Sequence, residues 1–234
     1  MSYTGLGVYQ QQPPKRPSRA PLWIALAVVA VLVVGGGVTA LVLNSGDDRT
    51  ASPSPTSGSS ASSAPQPDWQ PVDDSQAGLV YELPPTWESS GGGASGRIRL
   101  TTSYVSRPFQ CQGRDMIQAQ AAAGSVIDDD PEQVATELVN RIAAGGYTVA
   151  GAPPEIGEPR VESADEDVVR LSVEVTPKSA SACYAPKATV SAVALRNGSK
   201  VSVFVLNVAE GGPHAAEGPS EDDVKRILGS VRLP

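Results

Sequence analysis

The chain has 234 residues, 40% of them hydrophobic and 18% charged, with a net charge of −7. At roughly 150 residues per domain the length allows one or two domains, and the composition excludes a disordered polyelectrolyte. The charge falls in blocks: +3 over residues 1–21, none over 22–43, −1 over 44–67, and 14 cations against 23 acids over 68–234, a net of −9. That last block excludes nucleic acid as a partner, because neutralising phosphates needs a basic surface.

Residues 1–21 hold Lys15, Arg16 and Arg19 among prolines, and are too short and too Pro-rich to fold. Residues 22–43 then run LWIALAVVAVLVVGGGVTALVL, 22 residues without a charge. As a helix this run is about 33 Å long, enough to cross a ~30 Å hydrocarbon core with slight tilt. A helix also pairs every backbone group internally, as lipid requires. Soluble core helices rarely stay apolar on every face for this length. A rival reading is a cleaved signal peptide, with Leu22–Val34 as its apolar core and Val38-Thr39-Ala40 as its small-residue site. Leu41–Leu43 continue the apolar run past that site, which favours a retained anchor. The cations on the N-terminal flank place residues 1–21 in the cytoplasm and the remainder outside, as a single-pass protein of the cell membrane. Gly36 and Ala40, four apart, offer a small-residue face for a weak homodimer, although glycine is also simply tolerated in lipid.

Residues 44–67 are Ser- and Pro-rich, with Pro at 53, 55, 65 and 67. Such a segment cannot bury enough apolar area to offset its ordering entropy, so it reads as a disordered stalk. Its ends lie roughly 25 Å apart as a coil and up to about 70 Å apart as polyproline II. The Ser/Thr/Pro composition also suits O-linked sugar.

Residues 68–234 read as one folded domain. Leu79–Leu83 is a strand stopped by Pro84-Pro85, Ser89–Gly96 a Gly/Ser loop, and Arg97–Val105 a second strand. Between Arg107 and Ile127 the pattern decides nothing: Asp115–Ala123 has helix formers but no clear face. Asp130, Pro131 and Gln133 then open a helix as cap, first position and capping-box partner. Val134, Leu138 and Ile142 line it until Gly145-Gly146, after which Tyr147–Ala150 resumes a strand. Asp167–Thr176 alternates, with Val169, Leu171, Val173 and Val175 on one side. Ala188–Arg196 and Ser199–Val208 form a hairpin about Asn197-Gly198, the pair favoured in type I′ turns, and that role explains the residues better than the sequon they complete with Ser199. Ser220 caps a last helix that begins Glu221-Asp222-Asp223 and buries Val224, Ile227, Leu228 and Val231. The order is an α+β one: a mostly antiparallel sheet with helices packed on it.

Candidate chemistry is sparse. Cys111 and Cys183 are the only cysteines, both in the part placed outside, and an even pair in an oxidising compartment is most simply a disulfide. The rival readings are a redox pair, for which no CxxC exists, and a zinc site, which needs two further ligands from a chain with one histidine. His214 lies in a Gly/Pro loop and lacks the G-x-S-x-G elbow of a hydrolase partner. Asp128-Asp129-Asp130 suits a helix N-terminus better than a calcium loop. Gly91-Gly92-Gly93 precedes no helix and so cradles no phosphate. Trp69, Tyr81, Trp87, Tyr104, Phe109, Tyr147 and Tyr184 could line a pocket, but the core needs them. Catalytic, cofactor and metal residues are accordingly none.

The pattern GLVYELPPTW, Cys111, the helix from Asp130, CYAPKATVSAVAL around Cys183 and the closing DDVKRILGSVRLP resembles a family of actinobacterial membrane-anchored proteins whose extracytoplasmic domain has no assigned function. The strand order and last helix are also similar to the PsbP-like α/β/α sandwich of photosystem accessory subunits and small mycobacterial lipoproteins. The resemblance implies a non-enzymatic binding or accessory domain and carries over no site residue. Here a protein anchor stands where those lipoproteins have a lipidated cysteine. The expected partner is another envelope protein or a small ligand; the −9 charge disfavours anionic lipid and anionic wall polymers. The alternative is a cell-envelope enzyme using acidic residues assembled by the fold, marked by a cleft with two carboxyls of raised pKa. An exposed apolar patch would instead mark binding. A mechanical or sensory role is a third reading, though the inner tail carries no signalling domain.

Overall fold

The computed structural model describes residues 68–127, 129–149, 151–164, 167–178 and 182–234. The apolar run at 22–43, the tail 1–21, the stalk 44–67 and the Gly36/Ala40 face lie outside the described residues. Among those described, no helix is long and apolar enough to cross a membrane.

The described chain opens with β1 (Gln70–Asp74) and β2 (Leu79–Leu83), a hairpin apart from the main sheet whose Val80 also makes an isolated bridge with Arg232. Next come β3 (Glu88–Ser89), β4 (Gly93–Ser95), β5 (Ile98–Val105), a small hairpin of β6 (Phe109–Cys111) and β7 (Arg114–Met116), and β8 (Ala119–Ile127). Helix α1 (Pro131–Tyr147) leads to β9 (Glu155–Ile156), β10 (Arg160–Ala164), β11 (Val168–Thr176), β12 (Lys187–Asn197) and β13 (Lys200–Glu210). Helix α2 (Glu221–Ser230) closes the domain. The main sheet runs β10-β11-β12-β13-β8-β5-β3, with β4 also on β5 and β9 also on β11. Every pair is antiparallel.

Two cores sandwich this sheet. On one face Val134, Leu138 and Ile142 of α1 pack against the alternating valines of β11, Val190 of β12 and Val203 of β13. On the other, Leu79, Tyr81 and Leu83 of β2 and Ile227 of α2 cover Phe204, Leu206 and Ala121. The Tyr81 and Phe204 rings lie 4.8 Å apart at 53°. The mostly antiparallel α+β architecture therefore holds. The second outer layer is a hairpin beside a helix, which makes it mixed where a simple α/β/α sandwich was expected.

Four local expectations change. The segment without a clear face is β8, a central strand. Its Ala122 points to the α1 core while Ala119, Ala121 and Ala123 point to the other, and a strand covered on both faces shows no polar alternation. Helix α1 starts as expected, Asp130 accepting from the Gln133 amide at 3.0 Å, but runs through Gly145-Gly146 to Tyr147. The Tyr147 hydroxyl donates to Asn207 Oδ1 at 2.6 Å and holds this last turn on β13. Among the described residues no strand resumes at 147: Val149 makes one isolated bridge with Ala152, and Ala150 lies outside the described residues. Within 89–96, the expected loop, lie part of β3 and all of β4, both paired with β5. The β12–β13 turn is shifted by one residue. Asn197 pairs with Lys200, so Gly198-Ser199 are the loop, and a positive φ of 63° at Gly198 alone is the type II′ pattern.

An ion-pair cluster ties the turn before β5 to α1. Arg97 pairs with Asp129 and, at 2.9 Å, with Glu137, which also takes a 2.9 Å bond from Arg141. The Arg97 hydrogen bond, helped by Arg141, holds the Glu137 carboxyl below the usual carboxylate range. A depressed folded-state pKa contributes stability that is complete above the unfolded-state value, near 4.3, and is lost as pH falls through the folded value. Glu137→Gln is therefore expected to reduce stability at pH 7 and to leave it unchanged at the acid end of the profile. The effect should be modest and salt-sensitive, because the pair is largely solvated. Urea midpoints at pH 7 and pH 2.5 check this; an equal loss at both rules out the ion-pair cause.

Candidate functional site

The two cysteines meet at one corner of the domain. β6 and β7 are three residues each and are joined by Gln112-Gly113, with φ of 52° and 75°, the type I′ combination. This puts Cys111 at the hairpin tip, where it forms a disulfide with Cys183 in the β11–β12 connection, Cα to Cα 5.6 Å. Phe109, Cys111 and Met116 form a cluster of their own, with Cys183 and Tyr184 packed against it.

His214 joins this corner. Its ring stacks on Phe109, centroids 4.3 Å apart and planes at 26°. Its carbonyl accepts a 2.6 Å bond from Gln118 Nε2. The Gln118 amide in turn donates to Ser106 Oγ, and its carbonyl accepts from the Ala209 amide at 2.7 Å. Gly211 and Gly212, with φ of 76° and 77°, carry the loop past Pro186, where a Cβ would stand 3.3 to 3.4 Å from the proline ring. The corner is thus an aromatic and apolar cluster, built from three connections that the sequence keeps far apart. Cys111, Cys183, His214 and, as aromatics, Phe109 and Tyr184 stand out in the sequence by residue type; Gln118 and Pro186 have no spacing signal that leads to them.

A second feature lies at the other end of β12 and β13. A shallow open hollow of about 530 Å³ is lined by Asp129, Asp130, Gln133, Arg196, Gly198 and Ser199. Its acids serve the fold: Asp129 pairs with Arg97, and Asp130 caps α1. Arg196 Nε faces Asp167 at 3.5 Å. Among the described residues no three His, Cys, Asp or Glu side chains group as a metal site.

Buried polar groups elsewhere are also structural. Asp74, 4% exposed, takes bonds from the Ala77 amide (2.9 Å), Thr101 Oγ1 (2.6 Å) and Thr102 Oγ1 (2.8 Å). Because the Thr102 proton is directed at Asp74, Tyr81 OH is the donor in its 2.9 Å bond to Thr102. Burial pushes the Tyr81 and Tyr147 phenols far above their usual range, so both act as donors and not as bases. The carboxyl of Glu137 is shifted down, the opposite of what a general acid needs. The aromatic residues weighed as pocket lining are packed: Trp69, Tyr81, Trp87 and Tyr104 in one core, Tyr147 against the other, Phe109 and Tyr184 at the disulfide. Among the described residues the exposed large hydrophobics are Ile127 and Val161, on strands well separated in the sheet.

Residues 62–234 match a protein family described as a domain of unknown function, DUF8017. The chain belongs to this family. No curated protein matches it. Solved structures similar to the chain include the solution structure of cyanobacterial PsbP (CyanoP) from Synechocystis. It is 13% identical, covers 76% of this chain and 98% of that one, and has a TM-score of 0.46. The Ran-binding protein Mog1p of Saccharomyces cerevisiae is 11% identical, covering 71% and 95%, with a TM-score of 0.43. A mutant of the protein Mog1 is also 11% identical, covering 71% and 96%, with a TM-score of 0.42.

Proposed function

We propose that this chain is a single-pass protein of the cell membrane that displays residues 68–234 outside the cell as a non-enzymatic binding or accessory domain. Residues 1–21 form a cytoplasmic tail, 22–43 the transmembrane helix and 44–67 the stalk. The observation that carries the reading is the 22-residue uncharged run with Lys15, Arg16 and Arg19 on its N-terminal flank against a single cation, Arg49, beside Asp47 and Asp48 on the other. The cysteine pair fits an oxidising compartment on the far side. The titratable groups of the domain support binding over catalysis: Asp74, Asp130, Tyr81 and Tyr147 are engaged in holding strands and helices together. The partner is another envelope protein or a small ligand, and Gly36 with Ala40 gives the membrane helix a face for weak self-association.

Protease added to intact, wall-stripped cells is expected to remove a C-terminal tag and to spare an N-terminal one. A reporter fused after Pro234 should be active only when exported. Activity confined to the cytosol would overturn the orientation and, with it, the outward-facing role.

A further inference from the structure

We infer that the Cys111–Cys183 bridge is a local, redox-sensitive latch on the β6–β7 hairpin, opened by an external dithiol while the rest of the domain stays folded. The bridge belongs to neither principal core: its neighbours are Phe109, Met116 and Tyr184, and both large cores lack it. Among the described residues β6 and β7 pair with each other and with no other strand. Isolated two-stranded hairpins are marginal in water, and this one has three-residue strands and a glutamine, Gln112, in the left-handed region. The disulfide, the Phe109–His214 stack and the packing of Tyr184 on Phe109, Cys111 and Met116 help hold it to the body.

The opening step balances as ordinary thiol–disulfide exchange. Cys183 is the more exposed residue of the pair, half-buried against 9% for Cys111; a thiolate that attacks its sulfur releases Cys111 as a thiolate. The second thiolate of the dithiol then displaces Cys183, and the dithiol departs as its own cyclic disulfide. Two electrons pass to the bridge, and two protons are taken up by the cysteines. The result is a released hairpin that presents Phe109 and Met116, side chains the oxidised form buries.

The test is hydrogen exchange on the full-length chain, with dithiothreitol as the dithiol and alkylation reporting the thiols. Under native conditions both cysteines should become alkylated. Amides of 109–116 should then exchange at least about tenfold faster, while β11, β12, β13 and α1 change by less than about twofold. The variant Cys111→Ala/Cys183→Ala should show the fast pattern with or without dithiothreitol. Alkylation appearing only together with exchange across the whole domain would overturn the latch, as would unchanged exchange at 109–116 once both thiols are free.

Discussion

Replacing both Cys111 and Cys183 by alanine is expected to lower the unfolding free energy by about 4 kcal/mol, the loop-entropy value for a closed loop of this size. The cysteines are 72 residues apart. The chain between them carries β8, α1 and β9 to β11, and thus much of the first core. Cutting the link restores freedom to the unfolded form of all these elements, although in the folded form the sulfurs touch only a small cluster. Packing lost at the corner is local, whereas entropy regained by the unfolded chain is global, so a latch that opens locally and a large stability change belong together. Small domains have about 5–15 kcal/mol in hand, enough to keep the reduced form folded. Urea unfolding of the two forms measures the difference. A loss under about 1 kcal/mol would show that the reduced chain keeps equivalent structure when unfolded, or that the bridge strains the native form.

Where a strand or helix has one wet side, its pattern was readable. β11 alternates, with Val169, Leu171, Val173 and Val175 buried between exposed or half-exposed neighbours, and α2 carries a full capping box at Ser220 and Asp223. Where both sides are covered the signal vanishes, which is why β8, a run of alanines ending in Gly124-Ser125, resembled a weak helix. Short edge pieces fail for a different reason. β10 holds Arg160 and Glu162 and has a bulge between Val161 and Ser163, so charge and irregularity hide its pairing, as edge strands often require. β1 contains Pro71 and ends on Asp73-Asp74, residues that speak against a strand; it forms because Asp74 finds three donors in its neighbours. At the corner, the cysteine pair and the loop histidine stand out by residue type. That His214 lands on Phe109, 105 positions earlier in the chain, follows only from the sheet order that brings those loops together.

The same tertiary logic makes Gly124 the second sensitive point. In the β5–β8 ladder Leu100 pairs with Gly124 and Thr102 with Ala123, which leaves Thr101 as an extra, bulged residue. The bulge turns Thr101 and Thr102 so that both hydroxyls reach Asp74 Oδ2, the re-aiming that such irregularities provide. It also brings the β5 backbone close to its neighbours. A Cβ at Gly124 would run into the Arg99 carbonyl, and one at Gly92 would stand 2.6 Å from the carbonyl oxygens of Leu100 and Thr101. The obstacle at Gly124 is main chain, so no rotamer change relieves it; β5 must shift, and a shift draws the threonines away from a buried carboxylate. Overpacking costs about 1–3 kcal/mol, and each donor withdrawn from a buried acceptor adds about 1–3. Gly124→Ala is accordingly expected to destabilise by about 3 kcal/mol, read as a fall in urea midpoint at unchanged slope. Gly93→Ala is the control. It lies in β4, where an added Cβ meets nothing within 4 Å and φ is not positive, and it should stay within about 0.5 kcal/mol of the parent. Equal effects from the two substitutions would mean that β5 yields freely at the bulge and that Asp74 does not depend on its register.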